Sequence, residues 1–307
     1  MRITEIFKHN KLTFSFEFFP PKNLNRAVRF GINAGQLMKL KPSFVSVTYG
    51  ADGSSRNNTF EMVDLFQNDL KFNCMSHYTC VNATKEKIAY DMRTLQDMGI
   101  ENLMLLRGDP PKELDKCPPN PDGIDYASDL IRFVKEHYDF CVGAAAYPEK
   151  HLEARSMEED LINLRIKADA GAEFFITQMF FDNKYYWEFV NKAVQKGINQ
   201  RIIPGIIPIN SYKQIKKFAK ISGAAIPDSI HKKMEPVKDD PDKVYKIGLD
   251  LAIEQCSNLL ENGAPGIHFF TLNKSRAAVD LYEQLSKNGF EEFGDKYKNS
   301  FSPHLPL

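Results

Sequence analysis

The sequence predicts a closed (β/α)8 barrel, and three observations predict it. Short segments rich in Phe, Val, Ile and Tyr recur along the 307 residues and alternate with segments of helical apolar periodicity. Strict strand-then-helix alternation implies parallel strands joined by crossover helices. About eight such units suit one barrel, which uses about 250 residues as a single domain. No stretch reads as a linker, a low-complexity tract or a second domain. A doubly wound open sheet is the competing arrangement for the same alternation.

The strand signals fall at residues 13–19, 44–49, 73–80, 102–107, 140–147, 174–180, 201–207 and 266–271. Helical periodicity lies between them. Segment 25–40 carries Val28, Ile32, Leu37 and Leu40 as its expected apolar face. Segment 84–98 carries Ile88, Met92, Leu95 and Met98 before Gly99, a stop signal. Segment 156–170 opens with Ser156-Met157-Glu158-Glu159, a capping-box pattern, and ends at Gly171. Segments 243–260 and 275–285 supply the last two helices. The proline-rich stretch 108–123 follows the fourth strand and is a candidate active-site loop.

Composition excludes several classes. Lys plus Arg and Asp plus Glu number 40 each, so net charge gives no long-range pull toward nucleic acid or anionic membranes. No apolar run approaches the roughly 18 residues of a membrane helix, and the charged N-terminus has no signal-peptide core. The five cysteines form no CxxC pair, which suits a reducing cytoplasm and neither a disulfide framework nor a zinc ribbon. No Rossmann GxGxxG, P-loop, HExxH or GxSxG motif is present, and no metal site is expected.

A (β/α)8 barrel keeps its chemistry at the C-terminal ends of its strands. The first strand offers Glu17, and burying a carboxylate among Phe16, Phe18 and Phe19 disfavours its charged form. The second ends at Thr48 and Tyr49, and the third carries His77. Leu106-Arg107-Gly108-Asp109 closes the fourth, and Tyr147 with nearby His151 closes the fifth. Gln178 lies on the sixth, Pro204-Gly205 on the seventh and Thr271-Leu272-Asn273-Lys274 at the end of the eighth. Each has a plainer reading: Glu17 as an edge residue paired with lysine, His77 as a satisfied core histidine, Arg107 and Asp109 as a turn pair, Gln178 as a backbone partner. Their convergence on one mouth favours a site. Carboxylates, amides and aromatics without a metal or nucleophile suit chemistry carried by an organic cofactor.

Several motifs point to a family. Phe14-Ser15-Phe16-Glu17-Phe18-Phe19-Pro20-Pro21-Lys22 resembles the first strand of methylenetetrahydrofolate reductases. Val47-Thr48-Tyr49-Gly50-Ala51, Leu106-Arg107-Gly108-Asp109 with its following proline pair, Tyr126-Ala127-Ser128-Asp129 and Ala145-Ala146-Tyr147-Pro148-Glu149 are similar to further motifs of that family. So are Asp169-Ala170-Gly171-Ala172, Ile176-Thr177-Gln178, Pro204-Gly205-Ile206-Ile207-Pro208 and Thr271-Leu272-Asn273, all in family order. The resemblance covers nearly the whole chain and is to the bacterial single-barrel form. The length leaves no room for the S-adenosylmethionine-binding regulatory domain of eukaryotic forms.

The resemblance implies reduction of 5,10-methylenetetrahydrofolate to 5-methyltetrahydrofolate. NADH or NADPH reduces a tightly bound FAD, and the folate then takes hydride from the same flavin face. Glu17 matches the general acid, and Asp109 matches the carboxylate near the flavin and the pterin. Gln178 matches the pterin-binding amide. Gln214 and Phe218, on the helix after the seventh strand, match the substrate-pocket lining, and Lys274 a folate contact. For FAD the carry-over names Thr48, His77, Leu106, Arg107, Gly108, Asp109, Tyr126, Ala127, Tyr147, His151, Asp160, Asn163 and Lys167. The last helix trio lies at spacings of three and four, on one face. The resemblance also implies a homo-oligomer with folate and nicotinamide as small-molecule substrates, without nucleic acid or membrane partners.

Two departures stand out. The family often has a basic residue at Ile166; here Arg165 is basic instead, and points about 100° away on a helix. At Lys274 the bacterial pattern often has arginine, and lysine lacks the planar fork. Another FAD-dependent barrel, such as proline dehydrogenase, is the alternative enzyme, and a non-catalytic flavin or folate binder the alternative class.

Overall fold

The computed structural model describes residues 1–21, 23–49, 56–109, 122–287 and 289–290. Lys22, Gly50, Ala51, Pro110, Pro111 and most of stretch 108–123 lie outside the described residues. Among the described residues nine strands form one parallel sheet: β1 Thr13–Phe18, β2 Phe44–Val47, β3 Cys74–Thr79, β4 Asn102–Leu106, β5 Cys141–Ala146, β6 Phe174–Thr177, β7 Arg201–Ile203, β8 Gly205–Ile206 and β9 Gly266–Phe270. Their order is β7-β6-β5-β4-β3-β2-β1-β9-β8, a nearly closed barrel.

The segment read as one seventh strand is two. Pro204 has no N–H to donate and interrupts the ladder. β7 pairs with β6, and β8 pairs with β9. The Pro204 carbonyl accepts from the His268 N–H at 3.0 Å, and the Gly205 N–H donates to Thr177 Oγ1 at 2.9 Å. The break thus hands the strand from one neighbour to the other and closes the barrel. A Cβ at Gly205 would lie 2.3 Å from the Thr177 carbonyl, so only glycine fits the crossing.

The helices are α1 Ile3–His9, α2 Leu24–Met38, α3 Arg56–Asp64, α4 Lys85–Asp97, α5 Ala127–His137, α6 Met157–Asp169, α7 Asn183–Gln195, α8 Tyr212–Ser222, α9 Asp228–Met234, α10 Pro241–Glu261 and α11 Arg276–Lys287. Periodicity locates α2, α4, α6, α10 and α11, whereas α1, α3, α5, α7 and α9 are additions. Ser156 caps α6 as expected, its Oγ accepting from the Glu159 N–H at 3.2 Å. The expected apolar face of α2 needs correction. Val28 and Ile32 are 59% and 62% exposed, while Phe30, Ala34, Leu37 and Met38 are buried. Phe30 decides the rotation by packing edge-on to Phe18 and Phe66.

Side chains alternate along each strand. Phe14, Phe16, Phe18, Val45, Val47, Leu103 and Leu105 face the helices in the main core. Phe44, Met75, Met104, Cys141, Phe174, Ile176 and Ile203 fill the barrel interior with Ile3 and Ile6 of α1. Helix α1 therefore plugs the N-terminal end. The Ile3 N–H donates to Asn102 Oδ1 at 2.7 Å, and Arg201 donates to the Phe7 carbonyl at 2.7 Å. With that end filled, the polar inward positions are left at the opposite mouth.

Candidate active site

Glu17 occupies the penultimate position of β1 and faces inward, 7% exposed. Its Oε2 lies 3.7 Å from His77 Nε2 on β3 and 3.8 Å from His268 Nε2 on β9. His268 is buried, and its Nδ1 shares a 2.8 Å hydrogen bond with Ser15 Oγ. Burial pushes the His77 imidazole down to about 4, against the upward pull of Glu17. At neutral pH His77 is uncharged, so its approach to Glu17 is not a salt bridge. His77 Nε2 is buried with no hydrogen-bond partner among the described residues. The pair presents a carboxyl group and a free imidazole nitrogen to one small volume.

The motif Thr271-Leu272-Asn273 fixes the strand that carries Glu17. Thr271 Oγ1 donates to the Glu17 carbonyl at 2.7 Å. Asn273 brackets Phe19, accepting from its N–H at 2.8 Å and donating to its carbonyl at 2.7 Å. Asn273 holds φ at 59°, a region asparagine tolerates better than most residues.

A second cluster gathers at the ends of β4 and β5 and on α6. Lys167 Nζ donates to the Ala145 carbonyl at 2.9 Å and lies 5.5 Å from the centre of the Tyr147 ring. Burial lowers Lys167 to about 8, while Asp160 pulls it up. Asp160 Oδ2 accepts from the His151 N–H at 2.9 Å, and burial raises its own carboxyl. His151 packs edge-on to Tyr147, with ring centres 4.7 Å apart. Burial raises Tyr147 to about 12 and lowers His151. Arg107 joins this group, its guanidinium engaging Glu153 on the β5–α6 loop through both terminal nitrogens at 2.5 and 2.7 Å. The plainer reading of Arg107 as the turn partner of Asp109 is not what its two terminal nitrogens show: their fork is on Glu153.

The other expected residues are spread around the mouth. Thr48 follows β2 and is held by its N–H on the Phe18 carbonyl at 2.9 Å. Leu106 and Gly108 are half-buried, and Asp109 is exposed. Tyr126, 61% exposed, precedes α5, and Ala127 begins it; the Tyr126 side chain makes no capping bond. Asn163 and Lys274 are exposed. Gln178 is half-buried, its Oε1 accepting from the Met179 N–H at 2.9 Å. Gln214 and Phe218 of α8 line one hollow with Ile207, Pro208 and Leu272. Arg165 turns to α7, donating to the Lys196 carbonyl at 3.0 Å and pairing with Asp169, so it does not replace the basic residue at Ile166.

The hollow depends on a glycine. A Cβ on Gly248 of α10 would lie 1.9 Å from the Ile209 carbonyl. Gly248→Ala is expected to push back segment 207–211 and to cost about 1–3 kcal/mol, the usual penalty of overpacking. Urea titration measures it, and an unchanged midpoint would show that the segment yields freely.

His268, Ser15 and Glu153 escaped the sequence reading, which inspected strand ends only. Inward alternation would have found the first two, because Ser15 and His268 are register partners across β1 and β9. Glu153 sits on a loop with no periodic signal.

Fold and site together define the class: a (β/α)8-barrel enzyme with acid–base groups at its C-terminal mouth. The chain belongs to the methylenetetrahydrofolate reductase family, whose sequence profile matches residues 2–286. It is 37% identical over 275 residues to the 5,10-methylenetetrahydrofolate reductase of Pectobacterium carotovorum subsp. carotovorum, covering 90% of each chain. The Escherichia coli 5,10-methylenetetrahydrofolate reductase is also 37% identical over 275 residues, covering 90% of this chain and 91% of that protein. Methylenetetrahydrofolate reductase 1 of Schizosaccharomyces pombe is 37% identical over 293 residues, which are 93% of this chain and 48% of that protein. The chain thus spans about half the length of that fungal relative and nine tenths of the bacterial ones. An uncharacterized protein from Clostridium thermocellum that binds two copies of 5-methyl-5,6,7,8-tetrahydrofolic acid shares the fold, with a TM-score of 0.63 at 16% identity, covering 94% of this chain and all of that one.

Proposed function

We propose that this chain, as a single catalytic barrel over 1–307, reduces 5,10-methylenetetrahydrofolate to 5-methyltetrahydrofolate with NADH or NADPH through FAD. The observation that carries the reading is Glu17, a buried carboxyl beside an uncharged imidazole in a family of methylenetetrahydrofolate reductases. The substrate's five-membered ring must open before it accepts hydride, and a proton on the leaving nitrogen assists this. Delivery of that proton is assigned to Glu17, with Ser15 and His268 bonded to each other behind it.

FAD supplies the relay of hydride between nicotinamide and folate when bound. The residues present fit it. Ala145, small and half-buried near the end of β5, leaves room at the mouth, and His77 Nε2 offers an unused hydrogen-bonding group. Arg107 and the half-buried Lys167 supply positive charge for a diphosphate. Tyr126 offers an exposed ring at an uncapped helix start. Gln178, Gln214, Phe218 and Lys274 are assigned to the folate. The family match gives the proline dehydrogenase alternative no support. Among the described residues no helix is long and apolar enough to cross a membrane; a cytoplasmic homo-oligomer is part of the proposal.

Anaerobic mixing tests the reading. NADH or NADPH should bleach the absorbance of the purified yellow protein, and methylenetetrahydrofolate should restore it with formation of 5-methyltetrahydrofolate. Failure with both nicotinamides would refute the assignment.

Asp109 gives a sharper check. It is exposed at the mouth, and its charge is felt by the Tyr147 hydroxyl. Asp109→Asn removes a negative charge that opposes charge on the reduced cofactor. The flavin potential should rise, NAD(P)H oxidation should stay as fast or quicken, and folate reduction should slow. Folate should also bind more weakly, because an amide oxygen is a poorer acceptor than a carboxylate. A redox titration decides: an unchanged or lowered potential removes Asp109 from the electron-transfer argument.

A further inference from the structure

Arg107 is not simply a cation waiting at the mouth. Its two terminal nitrogens meet the two oxygens of Glu153 in a fork-to-fork pair, at 2.5 and 2.7 Å. This geometry is the one with which arginine also grips a phosphate. Glu153 is anchored by its backbone, whose N–H donates to His151 Nδ1 at 3.1 Å. Its carboxylate is 47% exposed, while the Arg107 side chain is 21% exposed. The acid can therefore swing into water, whereas the base stays at the site.

The charge balance around Tyr147 sharpens the point. Asp160, Arg107, Asp109 and Glu153 all act on its hydroxyl, and Arg107 and Asp160 act on Lys167. Lys150 acts on Asp160 in turn, so three carboxylates meet three cations. Such a cluster has no net positive charge and is a poor host for a doubly charged anion unless one carboxylate gives way.

We propose that Glu153 is a positioning residue that holds the Arg107 fork and yields it to the diphosphate of a flavin dinucleotide, so that cofactor binding is an exchange of anions on one guanidinium. This rests on the flavin reading above. Glu153 keeps the two terminal nitrogens of the guanidinium oriented, and it opposes the cofactor's negative charge. Affinity is then tuned below what Arg107 and Lys167 alone would give. The competing possibility is a buttress, with Glu153 supporting Arg107 from behind in the loaded protein. The two differ in sign.

The experiment is serial dilution of the purified holoenzyme, with released flavin read by its fluorescence. Glu153→Gln keeps the shape and removes the charge. Exchange predicts that the variant retains FAD more tightly, by roughly threefold or more, the scale of a half-exposed ion pair. Riboflavin has the ring and no phosphate, so its affinity for the stripped protein should not change. Glu153→Asp keeps the charge on a shorter arm and should fall between the two. Equal or weaker FAD retention in Glu153→Gln overturns the exchange, and so does an equal gain for riboflavin. A wild-type protein that holds no flavin overturns the flavin reading itself, and the exchange with it.

Discussion

Glu17→Gln is expected to leave flavin bound and NAD(P)H oxidation near its normal rate while folate reduction collapses. Loss of one general acid costs roughly 10²–10⁴ in rate. The split follows from the chemistry: ring opening needs a proton on the leaving nitrogen, and hydride transfer from nicotinamide does not. The structure also argues against a trivial folding defect. The strand is pinned through the Glu17 backbone by Thr271, which the substitution leaves alone. His77, pushed down to about 4, carries no charge at neutral pH, so no ion pair is lost with it. Stopped-flow measurement of the two half-reactions separates the cases. Equal losses in both would make Glu17 structural.

Glu17, His77 and Gln178 are visible because parallel-barrel strands announce themselves as short aromatic and β-branched runs, and the fold then dictates which end matters. All the expected strand segments hold observed strands. What periodicity misjudged was helix rotation. Segment 25–40 contains two stripes, Val28 with Ile32 and Phe30 with Ala34, Leu37 and Met38, both at helical spacing. Only the partners Phe18 and Phe66, distant in sequence, select the second. Pro204 was visible, but reading it as a strand end hid its part in closing the barrel. His268 was hidden for another reason: its importance lies in meeting Ser15 and Glu17 across the closing seam, a long-range pairing that no local pattern encodes.

A second result of large size is expected at a residue that sequence gave no cause to notice. Asp91 of α4 is fully buried. It accepts from Arg56 Nε at 2.5 Å, from Lys87 Nζ at 3.2 Å and from the Tyr78 hydroxyl at 2.9 Å. Arg56 opens α3, Tyr78 lies back to back with His77 on β3, and Thr59 of α3 donates to the Thr48 carbonyl at 3.0 Å. One carboxylate thus ties two helices to the strand that presents His77 and to the loop that presents Thr48. Asp91→Ala strands a guanidinium and a buried hydroxyl at once. Removing one partner of a buried pair costs about 3–5 kcal/mol, because the remaining groups lose their acceptor without regaining water. That is a large part of the roughly 5–15 kcal/mol by which a folded domain is stable. Asp91→Asn keeps an acceptor for Tyr78 and should lose less, and Tyr78→Phe added to Asp91→Ala should recover part of the loss by deleting the orphaned hydroxyl. Urea unfolding of the single and double variants gives the coupling directly. A loss below about 1 kcal/mol for Asp91→Ala, the worth of an exposed ion pair, would mean that water reaches the cluster and that it does not hold the mouth in place.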